Sequence, residues 1–131
     1  MLTPNDLHDQ IEATLSRLGA LVAQRDLAVL SEFATDAILV GSDAGEIAEG
    51  VEELRTLFVR VFAQAQTISW EWETISTAAS ENIAWFFATG HFVATGPDAQ
   101  TRLPYRLAGV LQWQSDRWVW RQFHGSEPVT V

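Results

Sequence analysis

The sequence contains no cysteine and no lysine, and only one tyrosine, Tyr105. Without cysteine there can be no disulfide, no thiolate nucleophile and no cysteine-based metal site. Without lysine, all eight positive side chains are arginines, set against seventeen Asp and Glu for a net charge of −9. Such a chain lacks the basic surface that nucleic acid or an anionic membrane requires, so neither is expected as a partner. No apolar run approaches the ~20 residues of a membrane span, and "MLTPNDLHDQ" at the N-terminus has neither a basic region nor an apolar stretch. No signal peptide is expected, and the expected location is the cytoplasm. A glycine-rich phosphate loop, a nucleophile elbow and a zinc-type histidine pair are also absent, so no cofactor is expected.

What the chain does have is apolar mass. Its 131 residues are 47% hydrophobic and include six tryptophans and seven phenylalanines, enough for the core of one domain, residues 1–131, and too short for two. Thr3-Pro4-Asn5-Asp6 reads as a helix start, with Thr3 as the cap and Pro4 in the first turn. Leu7, Ile11, Leu15, Leu18 and Val22 then recur at helical spacing. "RDLAVLSEF" predicts a second short helix capped by Asp26, and "DAILVGS" a strand that "DAGE" turns into a short return at Ile47-Ala48. Gly50 opens a third helix, with Val51, Leu54, Phe58, Val61 and Phe62 inward. After Ala65 the period changes to two, giving four strands: "TISWEWETIST", "NIAWFFATGHFVAT", "TRLPYRLAGVLQWQ" and "RWVWRQFHG". Short turns make consecutive strands antiparallel, so the plan is α+β: helices first, then a meander packed on them.

A register taken from the turns divides the side chains between two faces. It sets Trp113 opposite Trp118, Leu111 opposite Trp120, Gly109 opposite Gln122, Leu107 opposite His124, His91 opposite Tyr105 and Phe87 opposite Gly109. One face then carries all six tryptophans with Phe87, Thr89, His91, Tyr105, Gly109, Leu111, Gln122 and His124. It has no carboxylate and is expected to face the helices. Along it, aromatics lead to a polar end at Thr89, His91, Tyr105, Gln122 and His124, with a gap at Gly109. That gradation suits a small-molecule pocket, although aromatics that fill a core with polar groups at its rim would show the same pattern. The other face carries Glu71, Glu73, Phe86, Phe92, Arg106, Val110, Gln112, Arg121 and Phe123. An ion pair between Glu71 and Arg106 is expected there, across Gly90. So much exposed apolar surface suggests a homodimer through Phe86, Arg106, Val110, Arg121 and Phe123, unless a loop or the C-terminal "SEPVTV" covers it.

The order of elements, with "FATDA" (33–37), "NIAWFF" (82–87), "YRLAGVLQW" (105–113) and "RWVWRQFHGSEP" (117–128), resembles the cone-shaped nuclear-transport-factor-2-like fold, in particular its SnoaL-like members. Trp118, Trp120, Gln122, His124 and Ser126 also resemble the end of the calcium/calmodulin-dependent kinase association domain. The resemblance covers nearly the whole chain and implies three N-terminal helices packed on a curved, mixed, mostly antiparallel sheet. It includes isomerases, dehydratases, epoxide hydrolases, cyclases and association modules, so it implies no single function. The catalytic aspartate of ketosteroid isomerases matches Gly41 or a neighbour, and their first-helix tyrosine has no counterpart. The aspartate–arginine–aspartate set of limonene-epoxide-hydrolase chemistry finds no acid on the expected inner face. His91, His124 and Tyr105 resemble the scytalone dehydratase set in residue type only.

Two readings follow. The first is a domain holding an apolar or aromatic molecule against Trp72, Trp85, Phe87, Thr89, Gly109, Trp120 and Gln122, without ketosteroid-isomerase chemistry. The second is an isomerase, dehydratase or cyclase with His91 or His124 as acid–base group and Tyr105 as hydrogen-bond donor. Sheet spacings place the two histidines roughly 11 Å apart, near enough for one ligand to touch both. Two histidines without an inward acid make no metal site. His8 is expected at the surface, Asp36 in a structural turn, and Asp43 with Glu46 in a solvated hairpin that could also line the mouth.

Overall fold

Thr3 opens α1 (Pro4–Ala23) by accepting a hydrogen bond from Asp6 N at 3.1 Å, and Pro4 occupies the first turn, where a missing N–H costs nothing. The stripe Leu7, Ile11, Leu15, Leu18, Val22 is buried throughout. The structure, a computed structural model, describes residues 2–129. Asp26 caps the next segment through Ala28 N at 2.9 Å, but Leu27–Glu32 is a six-residue 3-10 turn rather than an α-helix. β1 (Phe33–Val40) follows immediately and pairs with β2 (Ile47–Glu49). Gly50, at φ 86, turns the chain into α2 (Val51–Phe62), a backbone geometry that a side chain would strain. Leu54, Leu57 and Phe58 bury the inner side of α2, whereas Val51 lies at the surface.

β3 (Thr67–Ser80), β4 (Ile83–Thr95), β5 (Gln100–Gln114) and β6 (Arg117–Ser126) form the antiparallel meander, and β6 then lies parallel to β1. The result is one six-stranded sheet in the order β2-β1-β6-β5-β4-β3, with α1 against β3 and β6 and α2 against β1 and β2. This is the expected α+β class, with a mixed, mostly antiparallel, curved sheet.

The faces depart from the expected register for three local reasons. The β4–β5 loop has four residues between Thr95 and Gln100, so His91 pairs with Pro104 and Gly90 with Tyr105. That one-residue slip turns all of β4 over. Ala84, Phe86, Ala88 and Phe92 face the helices, and Trp85, Phe87, Thr89 and His91 face outward. A bulge at Arg121 shifts β6: Leu111 pairs with Trp120, but Val110 pairs with Gln122. Beyond it Phe123 and Gly125 point inward while Gln122 and His124 point outward. A third irregularity, at Glu73 in β3, lets Trp70 and Trp72 face inward with Phe92 and Gly90 although Thr74 faces outward with Thr89.

The expected interface set is corrected accordingly. Phe86 and Phe123, 4% and 3% exposed, belong to the core against Trp120, while Arg106, Val110 and Arg121 do lie on the outer face. The expected Glu71–Arg106 pair is replaced by Arg102 Nη2 donating to Glu71 Oε2 at 2.5 Å. The gap at Gly109 is filled, since a methyl group there would meet the Phe86 ring and lie 2.9 Å from Trp120 Cζ3. Asp36, expected in a turn, lies within β1, where it accepts from Arg121 Nη1 at 2.9 Å at the surface. Glu32, 3% exposed, ties three elements together: it accepts from Arg17 Nε of α1 at 2.5 Å and from Arg117 Nη1 of β6 at 3.0 Å. Thr130 and Val131, the end of the "SEPVTV" segment considered as a cover, lie outside the described residues.

Candidate functional site

Four strands each contribute one ring to the same region of the inner face: Trp70 from β3, Phe92 from β4, Tyr105 from β5 and Phe123 from β6. Trp70 lies 6.3 Å from Phe92, 6.3 Å from Tyr105 and 6.0 Å from Phe123, and Phe92 lies 6.0 Å from Tyr105, between ring centroids. These rings face Leu18 and Val22 of α1 and Phe58 and Val61 of α2 across a cavity of about 120 Å³. Gly125 makes the arrangement possible, because a side chain there would overlap the Tyr105 hydroxyl.

Tyr105 is 4% exposed and lines this cavity. Burial first, then the negative charge of Glu46, pushes its pKa well above the ordinary value. At neutral pH it is therefore a phenol with a proton to donate, on the wall of the cavity. Trp70 Nε1 lies close enough to the phenol oxygen to oppose that rise, yet it reaches no hydrogen-bond geometry and is buried without a partner. A buried donor without a partner, as Trp70 Nε1 is, costs about 1–3 kcal/mol, which a ligand acceptor would recover.

The mouth is acidic. Glu46, on the β1–β2 hairpin, folds back over Gly41, its Oε1 lying 2.7 Å from where a Cβ on Gly41 would stand. Its Oε1 accepts from Asp43 N at 2.9 Å. Burial, with Asp43 and Glu127 nearby, raises its pKa, and the Asp43 N–H and Arg60 offset part of that rise. Asp43 and Glu127 also line the cavity, Ser42 Oγ donating to Glu127 Oε1 at 3.4 Å. No arginine or histidine is among the lining residues, and Arg60 nearby is engaged with the Gly45 carbonyl at 2.9 Å. No group of three histidines or carboxylates among the described residues is placed to hold a metal ion.

Of the residues that the sequence offered for the site, the cavity is lined by Tyr105 and by Asp43 and Glu46, the hairpin acids that could line the mouth. His124 is exposed and pairs with Ala108 on the outer face. His91 is on that face too, its Nδ1 3.2 Å from Glu73 Oε1 but not aligned as a hydrogen bond. Trp85 and Phe87, each 46% exposed, Gln122, and Thr89, whose hydroxyl meets that of Thr74 at 2.5 Å, share it. Trp72 faces inward but stacks on Trp70 beside a surface hollow next to α1, and Trp120 is sealed in the core. Sequence reasoning placed Phe92 and Phe123 on the wrong face and left Glu127 out. The signal that pointed to the mouth was the hairpin acids Asp43 and Glu46; that Glu46 folds over Gly41 is visible only in the structure.

A larger groove of about 880 Å³ lies at the opposite end, between the start of α1 and the β3–β4 turn. It is shallow, and its main polar group is satisfied, Trp118 Nε1 donating to Gln10 Oε1 at 2.7 Å. Among the described residues no helix is long and apolar enough to cross a membrane.

Comparison with known proteins agrees with this architecture. The SnoaL-like domain family matches residues 11–130. No curated protein matches the chain. Among solved structures, a presumed dehydratase of the nuclear-transport-factor-2-like family from Streptomyces avermitilis superposes with a TM-score of 0.85 at 13% identity, over 97% of this chain and 100% of that one. A presumed aromatic ring hydroxylase from Novosphingobium aromaticivorans gives 0.83 at 18% identity, over 98% and 94%. A presumed calcium/calmodulin-dependent protein kinase II association domain from Xanthomonas campestris gives 0.80 at 16%, over 100% and 95%. At these identities the likeness shows a shared fold and nothing further.

Proposed function

The chain belongs to the SnoaL-like domain family, and on that premise we propose that it holds a small, largely apolar molecule in the cone between the helices and the sheet. The observation that carries this reading is the pair of donors on the cavity wall, the protonated Tyr105 hydroxyl and Trp70 Nε1, the latter buried without a partner. Together they offer two donors to one ligand oxygen or nitrogen, while Phe33, Phe58, Phe92 and Phe123 supply the apolar wall. A cavity of about 120 Å³ limits the guest to roughly one ring, since an apolar cavity of about 150 Å³ is known to take benzene. Calorimetric titration with benzyl alcohol and with toluene tests this. The alcohol is expected to bind more tightly than toluene, and Tyr105→Phe to remove the difference. Equal affinities in the parent chain would contradict it.

A second reading is supported by Glu46, a half-buried carboxylate of raised pKa beside a phenol of raised pKa. Groups tuned in this way suit acid–base chemistry. Glu46 would take a proton from the carbon next to a carbonyl while Tyr105 hydrogen-bonds the oxygen where charge collects. Returning the proton to another carbon gives an isomer; delivering it to a β-hydroxyl leaving group gives an alkene and water. His91 and His124 have no part in this version, because both lie on the outer face. Solvent-hydrogen exchange into a bound cyclic ketone, lost in Glu46→Gln, is the test.

The same proposal includes a homodimer through the outer face, now centred on Trp85 and Phe87. Their neighbours across β5, Val110 and Ala108, extend the apolar surface, and adjacent exposed rings of this size are unusual on a monomer.

A further inference from the structure

The proposed ligand pocket has a polarity that narrows its guest further. Asp43, Glu46 and Glu127 all line it, and no positive side chain does. Behind these acids stand Trp70, Phe92, Tyr105 and Phe123, each within 6.0–6.3 Å of at least one other, so that their faces and edges box in the same space. Carboxylates at the opening and aromatic rings behind them are complementary to one kind of group. A protonated amine is attracted by both, through charge at the mouth and through the ring quadrupoles inside. A carboxylate or phosphate ligand would meet three like charges, with nothing lining the cavity to neutralise it. The Tyr105 hydroxyl on the same wall can donate or accept, so its oxygen can take an N–H of an ammonium as readily as its proton can meet a neutral acceptor.

We propose that the cone takes a small organic cation, a one-ring or short-chain ammonium whose nitrogen sits by Glu46 and whose hydrocarbon part lies among the rings. This rests on the ligand-holding reading of the same cavity. Burying an ammonium is costly unless an opposite charge and hydrogen bonds accompany it, and Glu46 provides both once ionised. The bound cation and the Glu46 proton therefore oppose one another.

The experiment compares three probes of equal size on the full chain by calorimetry: benzylamine, benzyl alcohol and benzoate. Benzylamine is expected to bind at least tenfold more tightly than benzyl alcohol, and benzoate not to bind. Glu46→Gln should weaken benzylamine about tenfold more than it weakens benzyl alcohol, with Glu127→Gln as a second variant should the first fail to fold. Benzyl alcohol binding as tightly as benzylamine would overturn the cation and leave the pocket standing. Absence of binding by all three would overturn both, and tight benzoate binding would reverse the sign of the proposed ligand.

Discussion

At the scale of single residues, two positions decide whether the cone can hold anything. Gly125 has no side chain so that the Tyr105 hydroxyl can lie across β6. Gly125→Ala should displace the phenol, costing about 1–3 kcal/mol as overpacking does, and abolish benzyl alcohol binding; chemical denaturation and calorimetry check the two parts. Glu46 makes a prediction about pH. Its folded pKa lies above its unfolded value, so the folded state holds the proton more firmly. Its contribution is therefore fully present below the unfolded pKa and is lost as pH rises through the folded one. Glu46→Gln should accordingly be more stable than the parent at neutral pH, with the gap closing toward pH ~4, as paired thermal melts across that range would show. These roles were legible only in part. A glycine in a strand signals a close approach but not to which side chain, and the hairpin acids of "SDAGE" could line the mouth or be solvated until Glu46 is seen lying over Gly41.

At the scale of elements, the sequence was most informative where spacing alone decides the outcome. The stripe of α1, the Asp26 cap, the Gly50 helix start and four strands in order all follow from period and cap chemistry. What it could not give was register. The four-residue loop and the bulges at Arg121 and Glu73 each shift the pairing by only one residue, yet each reverses which side chains meet the helices. Both faces carry aromatics, so hydrophobicity could not correct the slip, and His91, His124 and Gln122 were drawn into a site they do not reach. The Arg121 bulge depends on residue count rather than on its ion pair with Asp36, whose partners are both well exposed. Arg121→Ala should therefore cost less than about 1 kcal/mol. Deleting Arg121 should keep the facing of β6, because it removes the one extra residue and leaves Gln122 opposite Val110 and Phe123 opposite Gly109. A denaturant midpoint near that of the parent, with Phe123 still buried, checks this. Glu32 is the opposite case: with both Arg17 and Arg117 on its carboxylate, Glu32→Ala should destabilise by about 3 kcal/mol.

At the scale of the whole molecule, the sheet separates two kinds of aromatic surface. The inner rings enclose the cavity under α1 and α2, and the outer rings, Trp85 and Phe87, have no cover among the described residues. If the outer face joins two copies, light scattering at micromolar concentration will give twice the 14.6 kDa chain mass, and Phe87→Glu will give the single mass without loss of secondary structure. A single mass for the parent would remove the dimer and leave the cone untouched. The central claim concerns the cone, and backbone amide shifts followed during a benzyl alcohol titration test it most directly. The account predicts saturable shifts around Trp70, Phe92, Tyr105, Phe123 and Glu46, and none around Trp113 and Trp118 at the opposite groove. Shifts confined to that groove, or none at millimolar ligand, would contradict it.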